Sequence, residues 1–110
     1  MARPELDLLQ GTLDVLILKA LSWGPRHGYA VAKWIKERTG GVLLVEDRAL
    51  YVALHRMEAR EWIAAEWGLS DNNRKAKYYL LTAAGRRALR DKHGAWCSYA
   101  AAVASVLETG

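Results

Sequence analysis

The stretch DRALYVALHRMEAR (Asp47–Arg60) decides how this chain is read. On a helix at about 100° per residue, Leu50, Ala53, Leu54 and Met57 fall on one side. Arg48, Val52, His55 and Ala59 lie opposite, flanked by Tyr51 and Arg56. A merely solvated helix usually carries Glu and Lys on its outer face. This one presents basic, aromatic and small side chains together, which marks the outer face as a candidate contact surface. Asp47 is the expected N-cap, and the helix is expected to end near Arg60.

Downstream, Trp62–Leu69 and Lys77–Leu81 read as two strands. Ile63, Ala65, Trp67 and Leu69 alternate with Glu66 and Gly68, and the second run is rich in aromatics and Leu. Ser70-Asp71-Asn72-Asn73 is turn chemistry and Arg74-Lys75 follow at once, so the pair predicts a hairpin with a basic tip. Thr82 caps a last helix running to about Val106.

Upstream, a first helix starts near Thr12, with Asp14 well placed in its first turn and Leu13, Leu16, Ile17, Ala20 and Leu21 forming its apolar stripe. Trp23-Gly24-Pro25 stops it. A second helix spans Gly28–Arg38, burying Ala30, Val31, Trp34 and Ile35, and ends at Gly40-Gly41. Val42-Leu43-Leu44-Val45, apolar and too short for a helix, reads as a stub of strand. The fold class expected is mainly α with a small β-hairpin: a winged helix-turn-helix plus a long C-terminal helix. In that fold the third helix enters the major groove and the hairpin reaches an adjacent groove or the backbone.

Composition narrows the function. The 110 residues allow one domain, and 52% hydrophobic with 25% charged residues is the balance of a globular chain. So short a chain buries a small core, which a partner subunit can complete. The net charge is +4 and the pI about 9.4. Residues 1–47 net zero, 48–92 carry ten basic against five acidic side chains, and 93–110 hold only Glu108. The excess is thus one contiguous stretch, as a docking surface requires, although a solvated face has the same pattern.

One cysteine, Cys97, makes neither an internal disulfide nor a cysteine-based zinc site, and it points to a reducing cytoplasm. Glu5, Asp7, Asp14 and Lys19 interrupt the N-terminal apolar run, so neither a leader nor a membrane span is expected. In the last helix Leu89, Trp96 and Val103 are spaced by seven, with Lys92, Tyr99 and Val106 three beyond each. With Ala100 and Leu107 they make an apolar stripe from Trp96 to the C-terminus. A two-helix seam across a homodimer is the expected cover, and packing back on the first helix is the alternative.

Three blocks then resemble one family. LLQGTLDVLILKALSWGPRHGYAVAKWI (Leu8–Ile35) is similar to the opening of PadR-family transcriptional regulators, where a Thr-Leu-Asp helix leads to a Gly-Pro-x-His-Gly-Tyr turn. LYVALHRME (Leu50–Glu58) resembles that family's Leu-Tyr-Pro-Ala-Leu-His-Arg-Leu-Glu recognition helix, and RKAKYYLLTAAG (Arg74–Gly85) its wing and last strand. The resemblance implies a dimeric bacterial repressor that binds a palindromic operator in double-stranded DNA and releases it when an effector or stress signal arrives. One terminal helix resembles the short branch of the family. In some short members flat aromatic compounds enter a pore between the subunits, flanked by tryptophans of the last helix, and Trp96 is the residue for that part here. Arg48-Ala49 stands where the family often has Gly-Ser or Gly-Thr, and Val52 replaces a frequent Pro, so no relative's operator transfers.

The DNA-binding candidates are Tyr29, Arg48, Tyr51, His55 and Arg56 on the helices and Arg74, Lys75 and Lys77 on the wing. A Tyr hydroxyl bonds phosphate, Arg and His also read guanine edges, and Val52 can meet a thymine methyl. Against this, Tyr29 and Tyr51 can pack, His27 can cap, and a basic turn can be solvated. Arg86, Arg87 and Arg90 read as the solvent side of the last helix. The dimer-interface or effector-pocket candidates are Trp96, Tyr99, Ala100, Val103, Val106 and Leu107. Gly94 marks a bend or a close approach, and Cys97 reads as a small buried side chain. Residues 1–85 form the expected DNA-binding unit and residues 86–110 the dimerisation helix, one structural unit together.

Other classes fit less well. His27, His55 and His93 sit on different elements, no Gly-rich phosphate loop is present, and Glu46-Asp47 belong to a helix start, so no catalytic or metal site and no cofactor is expected. The alternative binding class is a winged-helix ligand- or protein-binding module that does not read DNA sequence, motivated by Ala49 and Val52.

Overall fold

Four helices and a small antiparallel sheet make up the computed structural model, which describes residues 12–110. In order they are α1 (Thr12–Leu21), β1 (Arg26–His27), α2 (Gly28–Arg38), α3 (Asp47–Ala59), β2 (Ile63–Leu69), β3 (Lys75–Leu81) and α4 (Ala83–Leu107). The expectations resting on Glu5, Asp7 and the Leu8–Gly11 start of the first motif lie outside the described residues. The sheet order is β1-β3-β2, with Ile63 opposite Leu81 and Leu69 opposite Lys75. This is a winged helix extended by one long helix.

The core largely follows the apolar stripes that periodicity assigns, with two corrections: Leu18 of α1 joins it from outside the expected stripe, and Leu13, Leu16, Ala30 and Trp34 are only half-buried. Ile17, Leu18 and Leu21 of α1, Val31 and Ile35 of α2, and Leu50, Leu54 and Met57 of α3 are all buried, closed below by Ile63, Tyr79 and Leu81 of the sheet. Trp34 is half-buried, with the guanidinium groups of Arg26 and Arg38 at 5.9 and 5.7 Å from its ring.

Backbone chemistry ends the helices where the core needs them to turn. After α2, Gly40 (φ 63°) and Gly41 (φ 84°) take left-handed conformations. The Gly41 N–H donates to the Lys36 carbonyl and the Gly40 N–H to that of Glu37, the paired bonds of a Schellman cap. The same pattern closes α3, where the Trp62 N–H reaches Met57 and the Glu61 N–H reaches Glu58. Here the left-handed residue is Glu61 (φ 62°), which carries a Cβ penalty that a glycine avoids.

Two local expectations are corrected. Val42–Val45 is not a strand: Leu43 and Val45 are half-buried against the core while Val42 and Leu44 face out, and the segment pairs with no strand of the sheet. The open edge of β3 is taken by Arg26–His27, which pair with Tyr79 and Tyr78. Asp47 is the first residue of α3 rather than its cap. Glu46 holds the cap position and makes no side-chain cap bond.

The start of α4 is locked to the hairpin base. The Thr82 hydroxyl donates to the Glu61 carbonyl at 2.7 Å and accepts from the Gly85 N–H at 2.9 Å. Gly85 is buried so tightly that a Cβ there would collide with the Trp62 carbonyl. Beyond this point Ala88 and Leu89 pack on the core, and no further residue of α4 is fully buried. Cys97 is therefore exposed in the chain, against the expectation of burial, because α4 has left the core before reaching it. A Cβ at Gly94 would meet nothing within 4 Å, so no close approach within the described chain requires that glycine.

Candidate nucleic-acid interface

The outward face of α3 exists because its opposite face is consumed by the core. Leu50, Ala53, Leu54 and Met57 are buried, which leaves Arg48, Tyr51, Val52, His55 and Arg56 outside. Tyr51 is fixed by its neighbour rather than free: a Cβ at Gly28 would lie 2.8 Å from its Oη and 2.9 Å from its Cε1. Only a glycine at the start of α2 lets the ring lie this close, which gives the Arg-His-Gly-Tyr turn a physical reason. Burial of the ring raises the Tyr51 phenol above its ordinary 10.0, with Tyr79 and then Asp47 adding to the shift.

Beside Tyr51 sits the start of α2. The His27 ring accepts from the Ala30 N–H at 3.2 Å, so it caps the helix. Tyr29 is exposed and stacks on His27 with centroids 6.3 Å apart. Capping occupies one of the backbone donors that a phosphate would otherwise meet there.

Arg56 has a different occupation from its neighbours. Its guanidinium pairs with the carboxylate of Asp14, a side chain 6% exposed on α1. The pair crosses 42 residues of sequence and ties α3 to α1. Burying Asp14 without a cationic partner would be costly, so Arg56 first neutralises the core and then faces out, with 41% of its side chain exposed.

The wing supplies the other cations. Ser70 and Arg74 bond through the Ser70 N–H, the Asn73 N–H returns to the Ser70 carbonyl, and Asn73 takes φ 62°, a type I turn with a left-handed residue. This places Arg74 and Lys75 exposed at the tip. The Lys75 ammonium lies 5.4 Å over the Trp67 ring. Lys77 lies 5.4 Å over Tyr79 and 3.6 Å from Glu58 of α3, so it braces the wing against the helix. Trp67 shares the alternating row of β2 that begins with the buried Ile63, yet it is 63% exposed, because the hairpin outruns the helices that cover its base.

The second group of candidates lies apart, on α4. Trp96, Tyr99, Val103, Val106 and Leu107 are exposed and Ala100 is half-buried, with Trp96 and Tyr99 rings 6.2 Å apart. Among the described residues, no His, Cys, Asp or Glu group is placed to hold a metal ion, and no helix is long and apolar enough to cross a membrane.

The sequence pattern of the transcriptional regulator PadR-like family matches residues 17–91, from mid-α1 through the first turns of α4. The chain belongs to the PadR-like family. It is 31% identical over 90 residues to an uncharacterized protein of Lysinibacillus sphaericus, covering 82% of this chain and 83% of that one. A PadR family transcriptional regulator from Eggerthella lenta is 32% identical with a TM-score of 0.78, over 92% of this chain and 86% of its own. A transcriptional regulator from Clostridium thermocellum superposes with a TM-score of 0.82 at 25% identity, over 91% and 97% of the two chains. This PadR-like regulator therefore shares both its sequence pattern and nearly its whole fold with transcriptional regulators. Arg48-Ala49 and Val52, where it departs from the resemblance, all lie on the exposed side of α3.

Proposed function

We propose that this PadR-like regulator is a homodimeric repressor that binds a palindromic operator in duplex DNA. The observation that carries the reading is the convergence, on one side of the molecule, of the outward face of α3 with the basic wing. On this reading Arg48, Val52 and His55 meet base edges in the major groove, and Tyr29 and Tyr51 meet phosphates. Arg74, Lys75 and Lys77 serve the backbone and the adjacent groove. Arg56 sets the angle of α3 through Asp14 as well as adding charge.

Residues 1–85 act as the DNA-binding unit and residues 86–110 as the dimerisation helix, continuous with it through α4. The stripe of exposed Trp96, Tyr99, Val103, Val106 and Leu107 with half-buried Ala100 supports a seam with the same stripe of a second copy. A small aromatic effector held beside Trp96 at that seam would release the operator by changing the separation of the two α3 helices.

Genomic fragments selected by the purified protein test this reading, followed by titration of the selected duplex at several salt concentrations. Preference for a palindrome, a steep fall of affinity with salt, and a dimer by light scattering are expected. Equal affinity for selected and random duplexes would instead support a ligand- or protein-binding module on a winged-helix shell.

A further inference from the structure

Two large apolar side chains beside the proposed DNA contacts are left mostly uncovered among the described residues. Trp67 and Leu69 are 63% and 67% exposed, on the row of β2 that begins with the buried Ile63. Trp67 lines a cleft of about 450 Å³ between the wing and the helices, facing Tyr51 and Tyr29 on the opposite wall. Among the described residues no carboxylate lines this cleft, whereas Arg74, Lys75 and Lys77 all do. Lys77 is partly neutralised by Glu58 at 3.6 Å, so Arg74 and Lys75 are the freer charges. The Lys75 ammonium occupies one side of the Trp67 ring, which steadies the ring and leaves its other face and edge open.

The occupant follows from geometry and charge. A helix in the major groove and a hairpin in the adjacent minor groove straddle one sugar-phosphate strand, because such a strand is what separates the two grooves. The cleft is the space between those same two elements. A small-molecule site buries most of its ligand, while this cleft is open and cationic, as suits an anionic chain that passes through. Phosphate and deoxyribose alternate along that chain, and the cleft lining supplies both cations, Arg74, Lys75 and Lys77, and aromatic rings, Tyr29, Tyr51 and Trp67.

We propose that the Trp67–Tyr51 cleft clamps one strand of the duplex backbone, with the Trp67 ring packed on a deoxyribose and Lys75 on a flanking phosphate. The assignment rests on the duplex-DNA reading above and deepens it. Since sugars are the same in every sequence, Trp67 contributes affinity and not sequence preference.

The test uses the full chain and two fluorescent duplexes, one selected from a random pool by the unaltered protein and one scrambled. Trp67→Ala is expected to weaken both by about tenfold, from the apolar area it leaves uncovered, with an unchanged salt slope. Lys75→Ala weakens both and lowers the slope by about one ion. Trp67→Phe keeps most of the affinity, and an unchanged melting temperature for Trp67→Ala separates lost contact from lost fold. Wild-type affinity in Trp67→Ala, or weakening confined to the selected duplex, overturns the clamp while leaving DNA binding intact. If the unaltered protein binds neither duplex at low salt, the DNA reading and the clamp fall together.

Discussion

Helices α1 and α4 are both rich in apolar residues, and they spend them differently. In the ten residues of α1, Asp14, Ile17, Leu18, Ala20 and Leu21 are buried, whereas in the twenty-five of α4 only Gly85 is. The first helix is the centre of a core that other elements wrap. The last leaves that core after Leu89 and carries Trp96, Tyr99, Val103, Val106 and Leu107 into solvent. Apolar periodicity measures how much surface a helix can bury, and the fold decides whether that surface is covered within the chain or offered outside it.

Gly85, where α4 is still buried like α1, gives the largest expected effect. Gly85→Ala forces a methyl group into the Trp62 carbonyl and should cost on the order of 3 kcal/mol or more, read as a collapse of the thermal midpoint. An unchanged midpoint would mean that the start of α4 is not docked as described. Leu18→Ala, in the fully buried stripe of α1, should cost about 3 kcal/mol in denaturant unfolding. Asp14→Ala strands the Arg56 guanidinium, and because Arg56 is 41% exposed and can rehydrate, the loss should be nearer 2 kcal/mol. Combining it with Arg56→Met should recover part of that loss, and additive losses would show that the pair is not coupled.

Leu107→Ser should change the stability of the isolated protomer by less than about 0.5 kcal/mol, since the side chain is 76% exposed. Its effect belongs to association: sedimentation over a dilution series should show weaker self-association, and a loss of protomer stability comparable to Leu18→Ala would erase the contrast between the helices. The smallest effect concerns pH. With the Tyr51 phenol raised in the folded state, its contribution is complete below 10.0 and is lost as pH rises through the folded value. Tyr51→Phe should therefore flatten the alkaline end of the stability profile and leave the neutral region alone.

Much of this was legible because it is local. The buried faces of α1, α2 and α3 follow from residues three and four apart, and the Thr82 cap and the Gly40-Gly41 stop follow from single-residue conformational preferences. The hairpin followed from alternation flanking a polar turn. Besides the misplaced α3 cap, the exposed Cys97 and the buried Leu18, three features were not legible, each for a spatial reason. The strand Arg26–His27 is two residues long and exists only because β3 offers it an edge. The apolar run Val42–Val45 found half-burial beside the core instead of a pairing partner. Trp67 obeys the inward alternation of β2, yet what is inward near Ile63 is open cleft further along the hairpin.

By itself the sequence determined which surfaces are apolar, where helices start and stop, and that positive charge gathers between residues 48 and 92. These are properties of neighbours along the chain, set by backbone sterics and side-chain period. Only the tertiary structure decided what each surface meets. It turned Arg56 from a free cation into the partner of Asp14, set Tyr51 against Gly28, and left Trp67 and the end of α4 uncovered. The physical reason is that burial and charge pairing depend on distances between residues far apart in sequence, and those distances exist only once the core has closed.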